Sequence, residues 1–121
     1  MANTFKVVTF AAEPASAGTP YVMYTVASST TAVVLGLVLS NINTTAVTAE
    51  VELVSTTSSR GGANNVANGT SFLIKVVSIP TGSSLEILSG GKVVLEAGDK
   101  IQIDCSVADK LSGTLSIMEI T

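Results

Sequence analysis

Any chemistry in this chain would have to be done without histidine, because its 121 residues contain none. That removes the commonest general base and the commonest transition-metal ligand, and it rules out a Ser–His or Cys–His nucleophile pair within the chain. Cys105 is the only thiol. It has no CxxC partner, so the spacing of a thiolate zinc site is absent. It cannot close an intrachain disulfide, and in its alternating run it reads as a small buried hydrophobe. No GxGxxG or GxxxxGK(S/T) pattern occurs, and Arg60-Gly61-Gly62 lacks the strand-to-helix setting of a phosphate loop. The carboxylates are the remaining candidates. Glu96, Asp99, Asp104 and Asp109 lie close in sequence, but a hard cation needs several oxygens converging on one point, and their spacing matches no EF-hand loop. Asp99 fits better as a turn residue bonded to its own backbone. A carboxylate pair could serve glycoside hydrolysis, yet a sugar platform would have to come from Phe5, Phe10, Tyr21, Tyr24 and Phe72 alone. The expectation is a chain with no catalytic residue, no metal and no cofactor.

The elements that would position these residues are short strands. Phe5–Phe10 (FKVVTF) reads as a strand, isolated by the Pro-, Gly- and Ala-rich stretch Glu13–Pro20, whose prolines bias their neighbours to extended conformations. Residues 1–20 are therefore expected to be an arm and linker, and residues 21–121 a β-sandwich domain. Further strands are expected over Tyr21–Val26, Thr31–Ile42, Val47–Val54, Phe72–Ile79, Leu85–Leu88, Lys92–Leu95, Lys100–Val107 and Gly113–Ile120. Thr31–Ile42 is almost continuously apolar, which suggests a strand buried on both faces or a helix segment; three valines, Gly36 and turn residues at each end favour the strand, and Gly36 within it marks a bulge or a close backbone approach. Val47, Ala49, Val51 and Leu53 alternate with polar residues, as a strand with one wet side does. Ile101, Ile103 and Cys105 are expected inward, as are Leu115, Ile117 and Glu119. Pro80-Thr-Gly-Ser83 and Glu96-Ala-Gly-Asp99 are turn signals. Eight or nine short strands and no stretch with a sustained helical period indicate an all-β antiparallel sandwich of jelly-roll type, with an extended N-terminal arm.

Composition bears on partners. Hydrophobic residues make up 46%, aromatics 4%, Ser and Thr together about a quarter, and there is no Trp. Charged residues are 12%, against about 25% in an average soluble domain, and mean hydropathy is +0.56. So little charge on so apolar a chain suggests a surface partly covered by neighbours, since buried interface centres are depleted in charge. A homo-oligomer is expected, with three-fold symmetry as its closure. The net charge is −3, and the six basic residues are scattered, leaving no stripe for phosphates, so direct nucleic-acid binding is not expected. The longest apolar run, Ala32–Leu39, is too short to cross a bilayer as a helix, and no membrane association is expected. The first residues lack the pattern of a secretory signal, which with a single cysteine suits a reducing compartment. Ser55–Ser71 is a long polar loop of the kind that is functional or disordered. Partner contacts are expected from Phe5 and Phe10 in the arm, through strand addition to a neighbour, and from Arg60, Asn64 and Asn65 in the loop.

Four segments taken in order, Tyr24–Asn41 (YTVASSTTAVVLGLVLSN), Ile79–Leu88 (IPTGSSLEIL), Lys92–Ile103 (KVVLEAGDKIQI) and Leu115–Thr121 (LSIMEIT), resemble small virion proteins of tailed bacteriophages, especially cyanophages. The resemblance covers most of the chain from Tyr24 onward. Two departures stand out: Ala27-Ser28-Ser29 in place of a Pro- and Gly-containing turn, and the length of Ser55–Ser71. The resemblance implies a non-enzymatic building block, located in the virion and assembled in the host cytoplasm. It would decorate or cement the capsid through contacts with the major capsid protein or other virion proteins. A neck, tail or fibre-associated component is the alternative within that class. A receptor- or carbohydrate-binding module, recognising its target through Ser55–Ser71, is the alternative outside it.

Overall fold

The computed structural model describes residues 2–55, 69–88 and 91–121. Among the described residues, nine strands account for the regular structure: β1 (Asn3–Glu13), β2 (Tyr21–Thr25), β3 (Thr31–Asn41), β4 (Val47–Val54), β5 (Thr70–Ile79), β6 (Ser84–Glu86), β7 (Val93–Leu95), β8 (Lys100–Cys105) and β9 (Leu111–Ile120). They form a five-stranded sheet ordered β1-β9-β3-β6, with β7 also on β3, and a four-stranded sheet ordered β2-β8-β4-β5. All pairings are antiparallel. β1 pairs with β9, β2 with β8, β3 with β6 and β7, and β4 with β5. The chain is thus one long antiparallel ribbon, doubled back at the β4–β5 hairpin and rolled up between the two sheets, which is a jelly roll. β6 and β7 share one strand position along β3, interrupted between them.

The core lies between the sheets and follows the alternation of the sequence. Val47, Ala49 and Val51 on β4 and Ile101, Ile103 and Cys105 on β8 face Leu111, Leu115 and Ile117 on β9, all buried. β3 is not buried on both faces as its apolar run suggested. Its register shifts between Val34 and Gly36, and this bulge changes which parity points inward. Ala32 and Val34 are buried before it, Leu37, Leu39 and Asn41 after it, while Leu35 is exposed. The near-continuous apolar stretch is therefore two one-sided strands in series, joined at Gly36.

The expected arm over residues 1–20 is corrected for the residues described. β1 extends to Glu13 and pairs with β9 of its own chain, from Asn3↔Ile120 to Phe10↔Gly113. Without it, the inward side chains of β9 would be open along one edge; Val8 and Phe10 pack there instead. The turn that follows is fastened to the domain as well. The Asp109 N–H donates to the Pro14 carbonyl at 2.8 Å, and the Gly18 N–H to Asp104 Oδ1 at 3.1 Å.

Candidate assembly interface

The two outer faces of the sandwich differ in chemistry. On the four-stranded sheet, outward positions carry Thr48, Glu50 and Glu52 of β4 and Lys100, Gln102 and Asp104 of β8, with Gln102 Nε2 donating to Glu52 Oε2 at 2.7 Å. Charged and polar groups dominate this face, with Val22 of β2 and Phe72 of β5 exposed beside Gln102 and Glu52. On the five-stranded sheet the outward positions of β1, β9 and β3 hold Phe5, Val7, Met118, Val33 and Leu35 among Ser and Thr. Register places Phe5 opposite Met118, Met118 opposite Val33, and Val33 opposite Val94. One apolar row therefore crosses four strands. Phe5 is 71%, Val7 65% and Val94 60% exposed. A shallow depression lined by Phe5, Lys6, Val7, Leu35, Ser116 and Ile117 borders this row. Four strands at about 4.8 Å spacing and about ten residues at about 3.3 Å each give this face a projected area of roughly 600 Å².

Lys6 points to the other side of β1, toward the gap between the sheets. Its Nζ lies 2.6 Å from Glu119 Oε1, and the Tyr24 hydroxyl, from the opposite sheet, donates to Glu119 Oε2 at 2.6 Å. The hydrogen bond from Lys6, and then that from Tyr24, holds the Glu119 carboxyl below its ordinary range. Burial, then the bond to Glu119, pushes the Tyr24 phenol well up. The arrangement joins three strands in two sheets and ties the one lysine of β1 to a carboxylate.

The expected contact residues separate. Phe5 stands exposed at the β1 end of the apolar row. Phe10 does not qualify as a partner contact: it is buried, packs edge-to-face on Tyr21 with ring centroids 5.3 Å apart, and covers Gly113, where a Cβ would overlap its ring. Six residues apart in a strand would share a face, but Phe5 and Phe10 are five apart and fall on opposite ones. Arg60, Asn64 and Asn65 lie outside the described residues, as does most of the Ser55–Ser71 loop; Ser71 itself belongs to β5, paired with Leu53. Sequence reading missed Val33, Val94 and Met118 as surface residues. The signal was present in β9, whose non-core face ends on Met118 and Ile120 rather than on polar residues.

The carboxylates are placed by their turns and strands. Asp99 is buried and accepts the Glu96 N–H at 3.0 Å through Oδ2, the turn role its sequence suggested. Asp104 faces Glu50 across β8 and β4 and accepts the N–H groups of Gly18 and Cys105. Among the described residues, no three of His, Cys, Asp and Glu are grouped to hold a metal ion. Cys105 is buried.

No protein-family model matches the chain, and no curated protein matches it. A solved structure to which it is similar comes from Bacillus endospore appendages, described as a novel family of disulfide-linked pili. That chain shares 18% sequence identity at a TM-score of 0.47, with 99% of this chain and 87% of that chain covered.

Proposed function

We propose that the protein is a non-enzymatic structural subunit of a tailed-bacteriophage virion. It decorates or cements the capsid by seating the outer face of its five-stranded sheet on the major capsid protein or another shell protein. The observation that carries this reading is the Phe5–Met118–Val33–Val94 row, exposed at Phe5 and Val94 and half-buried between them, on a face whose three long strands direct no charge outward, set against the charged face of the other sheet. A contiguous apolar patch left in water lowers solubility, and such patches mark interaction sites. The fold has no vote here, because jelly rolls serve lectins and cupins as well as capsids. The virion setting comes from the four sequence segments that resemble phage proteins. A carbohydrate-binding module fits less well, because the exposed rings of Phe5 and Phe72 stand on different sheets and cannot flank one sugar.

The test is particle assembly with a Phe5→Ser/Val94→Ser variant. The folded variant should be lost from purified particles, while wild type is retained at a copy number comparable with the shell protein. Wild type present in a few copies per particle would move the subunit to the neck or tail. Retention of the variant at the wild-type level would overturn the reading.

A further inference from the structure

Every open sheet has edges, and a long regular edge strand is a template for pairing unless something blunts it. Three edges of this sandwich are blunted. β2 has five residues and a register shift between Val22 and Tyr24. β6 and β7 have three residues each. β5 is longer, but its ladder shifts on either side of Val51, it carries Lys75, and Val76 sits at a φ of 52°. From Asn3 to Phe10 the β1 register runs unbroken and there is no proline, and its one charge, Lys6, is drawn to Glu119.

The hydrogen bonds define which groups the edge offers. Ala2 and Thr121 exchange both backbone bonds, at 3.0 and 2.9 Å. Hydrogen-bonded pairs alternate along an antiparallel ladder, so Thr4, Lys6, Val8 and Phe10 point their amides at β9. Phe5, Val7 and Thr9 point their N–H and C=O groups outward. We propose that this edge pairs with the β1 edge of a second copy, antiparallel across a two-fold axis, to make one sheet continuous through both protomers. Centred on Val7, the pairing sets Phe5 opposite the second copy's Thr9 and Lys6 opposite the second copy's Val8, which keeps the two lysines from facing each other. The axis stands perpendicular to the sheet, so both apolar faces come to the same side. Their joint projected area is about twice ~600 Å². The closure is two-fold in place of the three-fold symmetry expected of a β-sandwich on a shell. This pairing does not depend on what the apolar face binds.

Thr9→Pro tests it. Thr9 donates outward, so proline there blocks the intermolecular ladder while sparing the bonds to β9 and leaving Phe5 and Val7 in place. Wild type at tens of micromolar should scatter light as twice 12.2 kDa, and Thr9→Pro as a monomer. Amide exchange in wild type supplies a readout that needs no variant: the Phe5, Val7 and Thr9 amides should be protected at high concentration and exchange freely on dilution, while Lys6 and Val8 stay protected throughout. A monomeric wild type, or outward amides that exchange freely at every concentration, overturns the proposal. So does a dimer that survives Thr9→Pro but dissociates with Phe5→Ser/Val94→Ser, which would put the second copy on the face instead of the edge.

Discussion

Phe10 lies across Gly113 so closely that a methyl group on Gly113 would occupy the position of its ring. The two residues are directly opposed in the β1–β9 ladder, and the aromatic ring fills the space that the missing side chain leaves on the inner face. Gly113→Ala should displace Phe10 and destabilise the fold by about 1–3 kcal/mol, the usual cost of overpacking. Chemical denaturation measures it. In a double-mutant cycle with Phe10→Ala, the two losses should be less than additive, because the clash vanishes with the ring.

The Lys6–Glu119–Tyr24 arrangement predicts a stability profile with two limbs. The folded state lowers the Glu119 pKa, so its contribution is complete above the unfolded carboxyl value of about 4.3 and is lost as pH falls through the folded value. The folded state raises the Tyr24 pKa, so that contribution is complete below about 10 and is lost as pH rises beyond it. Tyr24→Phe should remove the alkaline limb and cost about 1–2 kcal/mol at neutral pH, whereas Glu119→Gln should remove the acid limb. Thermal melts from pH 3 to 11 separate the two.

How much of this was legible in the sequence depended on whether a signal was local. The strands over Val47–Val54 and Lys100–Cys105 were readable because strict alternation fixes both the element and its buried face. β3 was misread as two-sided because its bulge splices two inward parities into one apolar run, and only the pairing with β9 distinguishes these cases. The N-terminal segment was misread for a related reason. Its strand signal was visible in FKVVTF, but its partner lies about a hundred residues away, at the other end of the ribbon. A sequence-local reading attaches such a strand to a neighbour. The apolar row is likewise a product of register: Phe5, Met118, Val33 and Val94 belong to four strands, and nothing in any one of them announces the others.

The turn before β8 should be structural and independent of metal. Asp99 is buried and accepts the Glu96 N–H within the turn. Asp99→Ala should cost about 1 kcal/mol or more, as loss of a partly buried charge-assisted bond does. Saturating chelator should leave the wild-type melting temperature unchanged within about a degree; a drop of many degrees would mean that a bound cation supports the fold.

Asn41 makes the last prediction, and it concerns how the two sheets are held in register at one end. This residue ends β3 in the five-stranded sheet and is buried. Its side-chain Nδ2 donates to the Ile79 carbonyl at 2.8 Å and to the Thr45 carbonyl at 3.0 Å, and its Oδ1 accepts the Asn43 N–H at 2.8 Å. Ile79 closes β5 in the opposite sheet, so one amide both shapes the turn into β4 and ties the sheets together. An amide suits this place because it supplies two donors and an acceptor without charge. Asn41→Asp keeps the shape and the acceptor but turns a carboxylate oxygen toward two carbonyls. Asn41→Leu keeps the bulk and strands all three backbone groups. Each unsatisfied buried group costs about 1–3 kcal/mol, so both variants should lose at least about 2 kcal/mol in chemical denaturation. The Asn41→Asp loss should shrink as pH falls toward 4, because a protonated carboxyl regains one donor; the Asn41→Leu loss should not change. A pH-independent loss in both variants, or no loss in either, would show that the amide's hydrogen bonds do not hold this end of the sandwich.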